Sequence, residues 1–310
     1  MTASGTLPLP ALPQAPGAYR WFYADVSAGD YSAVCIFMLG SLFSPRYSVA
    51  ARRGGLPLEH CAVNFALYHR GVRRCWVLSE YPRAQLEEGG RRLVIGRSQL
   101  VREQDGRVRM EVDERSAPWG RPVRASLQLT PLTPRGDEVR LVDGLPHYWQ
   151  ALAPRAHALL QVQGPAALQL EGLGYHDTNH GEEPLGQRLS RWAWTRTHLA
   201  ERTLVDYRLP DGTLAVRLEA RAGRVLCERH VAPGAETGLT GWGLRVPLRL
   251  EADGRALAAP RLLESSPFYA RVEARDAGAD ALGEVADFRR FHSPFIRWMA
   301  HFRTRVERAA

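Results

Sequence analysis

Arg92-Leu93-Val94-Ile95-Gly96-Arg97-Ser98-Gln99-Leu100-Val101 is followed by Glu103-Gln104-Asp105-Gly106 and then by Arg107-Val108-Arg109-Met110-Glu111-Val112-Asp113. The last segment alternates polar and apolar residues, the period of a strand with one buried face. Asp-Gly between two such runs is a hairpin signal. The same pattern extends in both directions. Upstream lie strand-like runs at 19–27, 31–40, 61–69 and 73–81, and downstream 123–130, fenced by Pro122 and Pro131, and 138–141. Prolines at both ends suit a strand, since each is tolerated at its margin.

A second series covers 157–162, 167–170, 191–197, 202–209, 213–220, 224–230, 243–250 and 260–263, with Asp211-Gly212 as another turn. Short, evenly spaced strands favour sandwiches or barrels over α/β folds. The expectation is an all-β chain of two antiparallel domains: a flexible leader at 1–18, domains at 19–153 and 154–280, and a helical segment at 281–310. Ser293-Pro294 supplies an N-cap and a first-turn proline for a helix over 294–308. Phe295, Trp298, Met299, Phe302 and Val306 recur on one side of it, with arginines largely elsewhere. That side either packs on the β domains or lies on anionic lipid.

Composition narrows the classes. The 310 residues are 45% hydrophobic and 24% charged, which excludes a disordered chain. All 41 basic residues are arginine, against 33 acids, for a net charge of +8. They are scattered rather than gathered in a stripe, so no nucleic-acid partner is expected, while an anionic membrane surface suits the charge. Cys35, Cys61, Cys75 and Cys227 have no zinc or redox spacing. The Pro-rich start lacks the features of a signal peptide. Tyr31–Phe43, the most apolar stretch, is shorter than the ~20 residues of a spanning helix. A cytoplasmic protein, peripheral on the inner face of the cell membrane, is expected, with its oligomeric state left open.

The densest polar segment is Gly174-Tyr175-His176-Asp177-Thr178-Asn179-His180. If extended, it puts Tyr175, Asp177 and Asn179 on one face and His176 on the other. Otherwise it is a polar turn. His176, Asp177 and His180 are metal-ligand types, but the flanking glycines argue against the helix that their spacing would need. Two further constellations are His147-Tyr148-Trp149 and Arg191-Trp192-Ala193-Trp194, whose indoles share one strand face and read most simply as core. No phosphate-binding loop, dinucleotide fingerprint or serine-hydrolase elbow occurs.

Six segments carry a more specific pattern: Trp21-Phe22-Tyr23-Ala24-Asp25-Val26-Ser27, Phe37-Met38-Leu39-Gly40-Ser41-Leu42-Phe43-Ser44-Pro45, His60-Cys61-Ala62-Val63-Asn64-Phe65-Ala66-Leu67-Tyr68, Gly174–Asn179, Arg191–Trp194 and Ser266-Pro267-Phe268-Tyr269-Ala270-Arg271. In these, and in their order, the chain resembles the carotenoid 1,2-hydratase (hydroxyneurosporene synthase) family. The resemblance implies two lipocalin-like β-barrel or sandwich domains and hydration of the terminal double bond of acyclic carotenoids, with no cofactor and no metal. It maps the family's catalytic H-x-W and Y-x-D elements onto His147 and Trp149, and onto Tyr175 and Asp177. No role is carried over to His176 or His180.

A trisubstituted alkene offers no polar handle, so hydration starts with protonation of carbon 2 and leaves a tertiary cation at carbon 1. That calls for a carboxylic acid still protonated near neutral pH, which burial in an apolar tunnel favours. The expected roles are Asp177 as acid, Tyr175 orienting it, Trp149 facing the cation and His147 as base for the attacking water. Trp192, Trp194 and Asn179 are expected to contact substrate, with the polyene in a barrel interior. The alternatives are a non-catalytic terpenoid or lipid carrier, and a relative that cyclises or isomerises another polyene. An acid in the pocket favours the hydratase over the carrier.

Overall fold

Tyr19, Trp21 and Tyr23 point to one side of the first strand while Phe22, Ala24 and Val26 point to the other, and two separate apolar cores grow from that alternation. The computed structural model describes residues 8–87, 89–164, 167–209, 215–230, 240–244, 251–252, 255–257, 260–276 and 278–307. The expected Asp211-Gly212 turn, the end of the strand expected at 243–250, residues 1–7 of the leader and Arg308 lie outside the described residues.

The first sheet contains β1 (Tyr19–Ala28), β2 (Tyr31–Leu39), β3 (Cys61–His69) and β4 (Val72–Tyr81), with the short helix α1 (Pro45–Ala50) between β2 and β3. It continues through β5 (Gln85–Leu86), β6 (Arg92–Ile95), β7 (Ser98–Arg102), β8 (Val108–Arg115), β9 (Pro122–Pro131), β10 (Val139–Arg140), β11 (His147–Gln163) and β12 (Leu168–Gly181). The spatial order is β4-β3-β2-β1-β12-β11-β9-β8-β7-β6-β5, with β10 on β11. The sheet curls into a half-barrel around the core seeded by Phe22, which also gathers Leu93, Leu100, Met110 and Leu127.

The second sheet is built from β13 (Arg191–Leu199), β14 (Arg202–Arg208), β15 (Ala215–Arg221) and β16 (Arg224–His230). After the small pair β17 (Glu251–Ala252) and β18 (Arg255–Ala256), it is completed by β19 (Arg261–Ser265), β20 (Tyr269–Asp276) and β21 (Ala279–Asp287), in the order β16-β15-β14-β13-β21-β20-β19. It packs on the outer face of β1–β4, β11 and β12, and the core between the sheets joins Tyr19, Trp21 and Tyr23 to Trp192, Trp194 and Tyr207. The lipocalin-like all-β expectation holds.

Three details differ from the sequence reading. The junction expected at 153/154 falls inside the 17-residue strand β11, and the chain passes from one sheet to the other between Gly181 and Arg191. Pro154 sits within this strand, where register shifts between Ala151 and Ala156 accommodate it, as bulges do for prolines within strands. The run 92–101 is two strands, because Gly96 turns at φ 60° and a Cβ there would stand 2.3 Å from the Tyr81 ring. The expected C-terminal helix is shorter: β21 occupies Ala279–Asp287, a 3-10 turn spans Phe288–His292, and α2 runs only over Pro294–His301. Ser293 caps it as expected. Beyond it, β22 (Arg305–Val306) pairs in parallel with β4, the one parallel pairing among the described strands, so Val306 is not a helical residue.

Candidate active site

The polar segment at 174–180 is extended. Within β12, hydrogen-bonded between β1 and β11, Tyr175, Asp177 and Asn179 face the core between the sheets. His176 faces away and its Nδ1 pairs with the Tyr23 carbonyl at 2.7 Å, while His180 stacks on Tyr148. The alternation therefore splits the group His176, Asp177 and His180 between two sides of the sheet. Among the described residues no cluster of three His, Cys, Asp or Glu side chains is placed to hold a metal.

Asp177 is 3% exposed. Its Oδ2 accepts two hydrogen bonds, from the Tyr175 hydroxyl at 2.8 Å and from the Trp149 indole N–H at 2.9 Å. Oδ1 has no protein partner. Burial pushes the carboxyl up to about 8 despite the two donors, with Glu284 and Asp25 adding to the rise. With both donors on Oδ2, the acid proton belongs on Oδ1.

His147 begins β11, opposite Gly181 of β12. Its Nδ1 is hydrogen-bonded to the Tyr19 hydroxyl, and its Nε2 lies 3.5 Å from the Tyr207 hydroxyl. Burial, with some repulsion from His180, lowers its pKa to about 3 and keeps the ring neutral. A neutral imidazole has one donor and one acceptor nitrogen, so one tyrosine donates to the ring and the other accepts from it. Gly181 is required here, because a Cβ would stand 2.4 Å from the Tyr19 hydroxyl.

Asp177 and Asn179 open onto a cavity of about 30 Å³ walled by Trp21, Tyr23, Trp192, Trp194, Tyr207, Tyr269 and Glu284. Of the seven residues expected at the site, Asp177, Asn179, Trp192 and Trp194 line this cavity; Tyr175, Trp149 and His147 stand behind it. The cavity lies between the two sheets, not inside the half-barrel where a tunnel was expected, because the Asp177 face of β12 is the outer face of the curl. A larger cavity of about 330 Å³ adjoins it, bordered by Trp76, Leu78, Trp242, Phe268 and, from α2, Ile296 and Met299. Phe43 and Tyr269 line both, with ring centroids 5.1 Å apart. Buried Arg271 braces this wall, bonding Glu264 at 2.6 Å on the larger side and Glu284 at 2.9 Å on the smaller.

Tyr207, Glu284, Tyr269 and Phe43 were not singled out by the sequence. Phe43 and Tyr269 lay inside two of the six segments quoted above. Tyr207 and Glu284 sit on strands of the second sheet, where alternation marks an inward face but not which residue of the first sheet it meets.

A family model described as carotenoid hydratase CrtC matches residues 35–310. The chain is 37% identical over 302 residues to the acyclic carotenoid 1,2-hydratase of Thiocapsa roseopersicina, covering 93% of this chain and 73% of the relative. It is 31% identical over 290 residues to that of Rubrivivax gelatinosus, covering 88% and 68% respectively. A crystal structure from Nitrosomonas europaea shares the fold, with a TM-score of 0.57 at 16% identity over 93% of this chain and 98% of that one.

Proposed function

The chain belongs to the carotenoid hydratase family, and from that membership we propose that it hydrates the terminal carbon 1,2 double bond of an acyclic carotenoid, of the neurosporene or lycopene type, by protonation to a tertiary carbocation and capture of water, without a cofactor. It is accordingly a hydro-lyase acting on carotenoids. The observation that carries the mechanism is the state of Asp177: a carboxyl held near 8 is protonated at neutral pH, and its partnerless Oδ1 belongs to a residue lining an aromatic cavity.

In this reading Asp177 donates its proton to carbon 2, and the electron pair of the double bond forms the new C–H bond. Carbon 1 is left as a tertiary cation. The faces of Trp21, Trp192 and Trp194 are suited to it, since a desolvated cation over an indole gains up to about 2 kcal/mol. Tyr175 and Trp149 hold Oδ2 and fix the direction in which the acid points. His147 has both nitrogens engaged by tyrosines, so its part is to position Tyr207 at the cavity wall. The larger cavity suits the polyene, being apolar and of a size that small-molecule sites commonly have. The reactive end would pass the Phe43–Tyr269 pair to reach Asp177.

Incubation of the purified protein with lycopene or neurosporene in detergent tests this reading. The expected product is heavier by one water. Asp177→Asn keeps shape and removes the acid, so hydration should fall by orders of magnitude while carotenoid binding persists. Equal activity in that variant removes Asp177 as the proton donor.

A further inference from the structure

Besides the Tyr23 hydroxyl, three residues that line the small cavity with Asp177 carry a buried polar atom without a protein partner: the Asn179 amide oxygen, the Trp194 indole nitrogen and the Tyr269 hydroxyl. All three residues are more than nine-tenths buried. A buried polar group left unpaired costs about 1–3 kcal/mol, and native proteins rarely leave one so. Three around one small cavity, from both sheets, mark a place built for a polar molecule. A volume of about 30 Å³ admits a water or two, and a buried water typically makes about three hydrogen bonds.

We propose that Asn179, Trp194 and Tyr269 form a binding site for the reacting water, and that the water is captured and deprotonated there without a second base. This rests on the hydration reading above. The donor and acceptor types are complementary to a single water. The Trp194 N–H can only donate, so it takes one lone pair of the water. The Asn179 amide oxygen accepts one water hydrogen, and the Tyr269 hydroxyl oxygen, which can donate or accept, here accepts the other. One lone pair then remains free to meet carbon 1. Asn179 lies two residues from Asp177 on the same strand face, so the water sits beside the carboxyl that has just lost its proton.

The step balances within this set. The Asp177 Oδ1–H bond breaks as the carbon 2 C–H bond forms. The water oxygen bonds to carbon 1, and the resulting oxonium passes its extra proton to the Asp177 carboxylate. The acid is restored and the product is a tertiary alcohol. When the water is missing, the cation has another exit: carbon 2 returns a proton to the Asp177 carboxylate and the alkene reforms.

That alternative supplies the test. The enzyme is incubated with lycopene in D₂O, and mass spectrometry follows two quantities: the hydrated product, and deuterium gained by recovered, unhydrated carotenoid. Trp194→Phe keeps a ring and removes the N–H, and Asn179→Leu removes the amide. Each should lower hydration roughly tenfold, the worth of one good hydrogen bond, while deuterium gain by the unhydrated carotenoid is maintained or rises. Quenching of protein fluorescence by bound carotenoid establishes that each variant is folded and loaded. If hydration and deuterium gain fall together in both loaded variants, or if hydration is unchanged, the water site is overturned and these residues only shape the cavity. Failure of the hydration reading looks different: the unsubstituted protein then yields neither hydrated product nor deuterated carotenoid.

Discussion

Trp149 and Asp177, 28 residues apart in the chain, are joined across neighbouring strands by a 2.9 Å hydrogen bond from the indole N–H to Oδ2. The bond favours the ionised carboxylate and so works against the burial that raises the carboxyl to about 8. Trp149→Phe removes the donor and keeps most of the ring. The carboxyl should then rise by about one unit or more, since a hydrogen bond to a charged group is worth about 1.5–3 kcal/mol. The alkaline limb of the pH–rate profile should move upward by that amount. Tyr175→Phe removes the other donor to Oδ2 and should move it in the same direction. An unmoved limb in both variants would mean that another group sets it.

The same carboxyl ties stability to pH. Folding raises Asp177 from 3.8 to about 8, so between those values the folded chain holds a proton that the unfolded chain has lost. This contribution falls as pH rises through that window. His147 acts at the other end: folding lowers it from 6.5 to about 3, and stability is lost as pH falls through that range. Urea unfolding between about pH 5 and about pH 9 should show wild type losing ground to Asp177→Asn as pH rises. Parallel curves for the two proteins would show that Asp177 has no raised pKa.

Arg196 makes a separate prediction about the sheet contact. It is fully buried on β13, with Asp25 of β1 at 2.5 Å and Asp280 of β21 at 2.9 Å. Arg196→Met leaves the Asp25 carboxylate buried without its partner and should cost about 3–5 kcal/mol. Replacing Asp25 by Leu in the same chain removes the stranded charge and should recover most of that loss. The denaturation midpoint reads both, and a double variant no better than the single would show that packing, not charge, was lost.

The alternation of Tyr175, Asp177 and Asn179 was legible because period 2 is a local property of one strand. What those residues meet was not. Tyr207, Tyr269 and Glu284 approach them from another sheet, and the offset between sheets is set by packing, which no local spacing encodes. The misread elements have similar causes. Pro154 carries the signal of a break, yet a bulge lets it sit within β11. Val306 continues the helical spacing of Phe295 and Phe302, but the free edge of β4 offers its segment a strand partner.

The outward side of α2 makes the last prediction. Phe295, Trp298 and Phe302 are 61%, 56% and 67% exposed and lie ring against ring, with centroids 6.0 and 4.8 Å apart along the row. The opposite side of the helix, Ile296, Met299 and Ala300, borders the larger cavity together with Phe302. Among the described residues no helix is long and apolar enough to cross a membrane. An apolar row of this kind suits a helix lying in the headgroup region, where each nearby arginine adds about 1 kcal/mol on an anionic leaflet. Arg297 and Arg303 belong to the same segment. Peripheral contact here would set the mouth of the larger cavity against the lipid that holds the substrate. Flotation with anionic vesicles should therefore show binding that weakens with salt. Trp298→Ala should weaken it about tenfold, from the apolar area that no longer enters the interface. Its hydration rate should fall with carotenoid supplied in vesicles and stay unchanged with carotenoid supplied in detergent. Equal loss in both would place the effect on the cavity wall, and unchanged flotation would move the contact to another part of the surface, such as the loop carrying exposed Trp119.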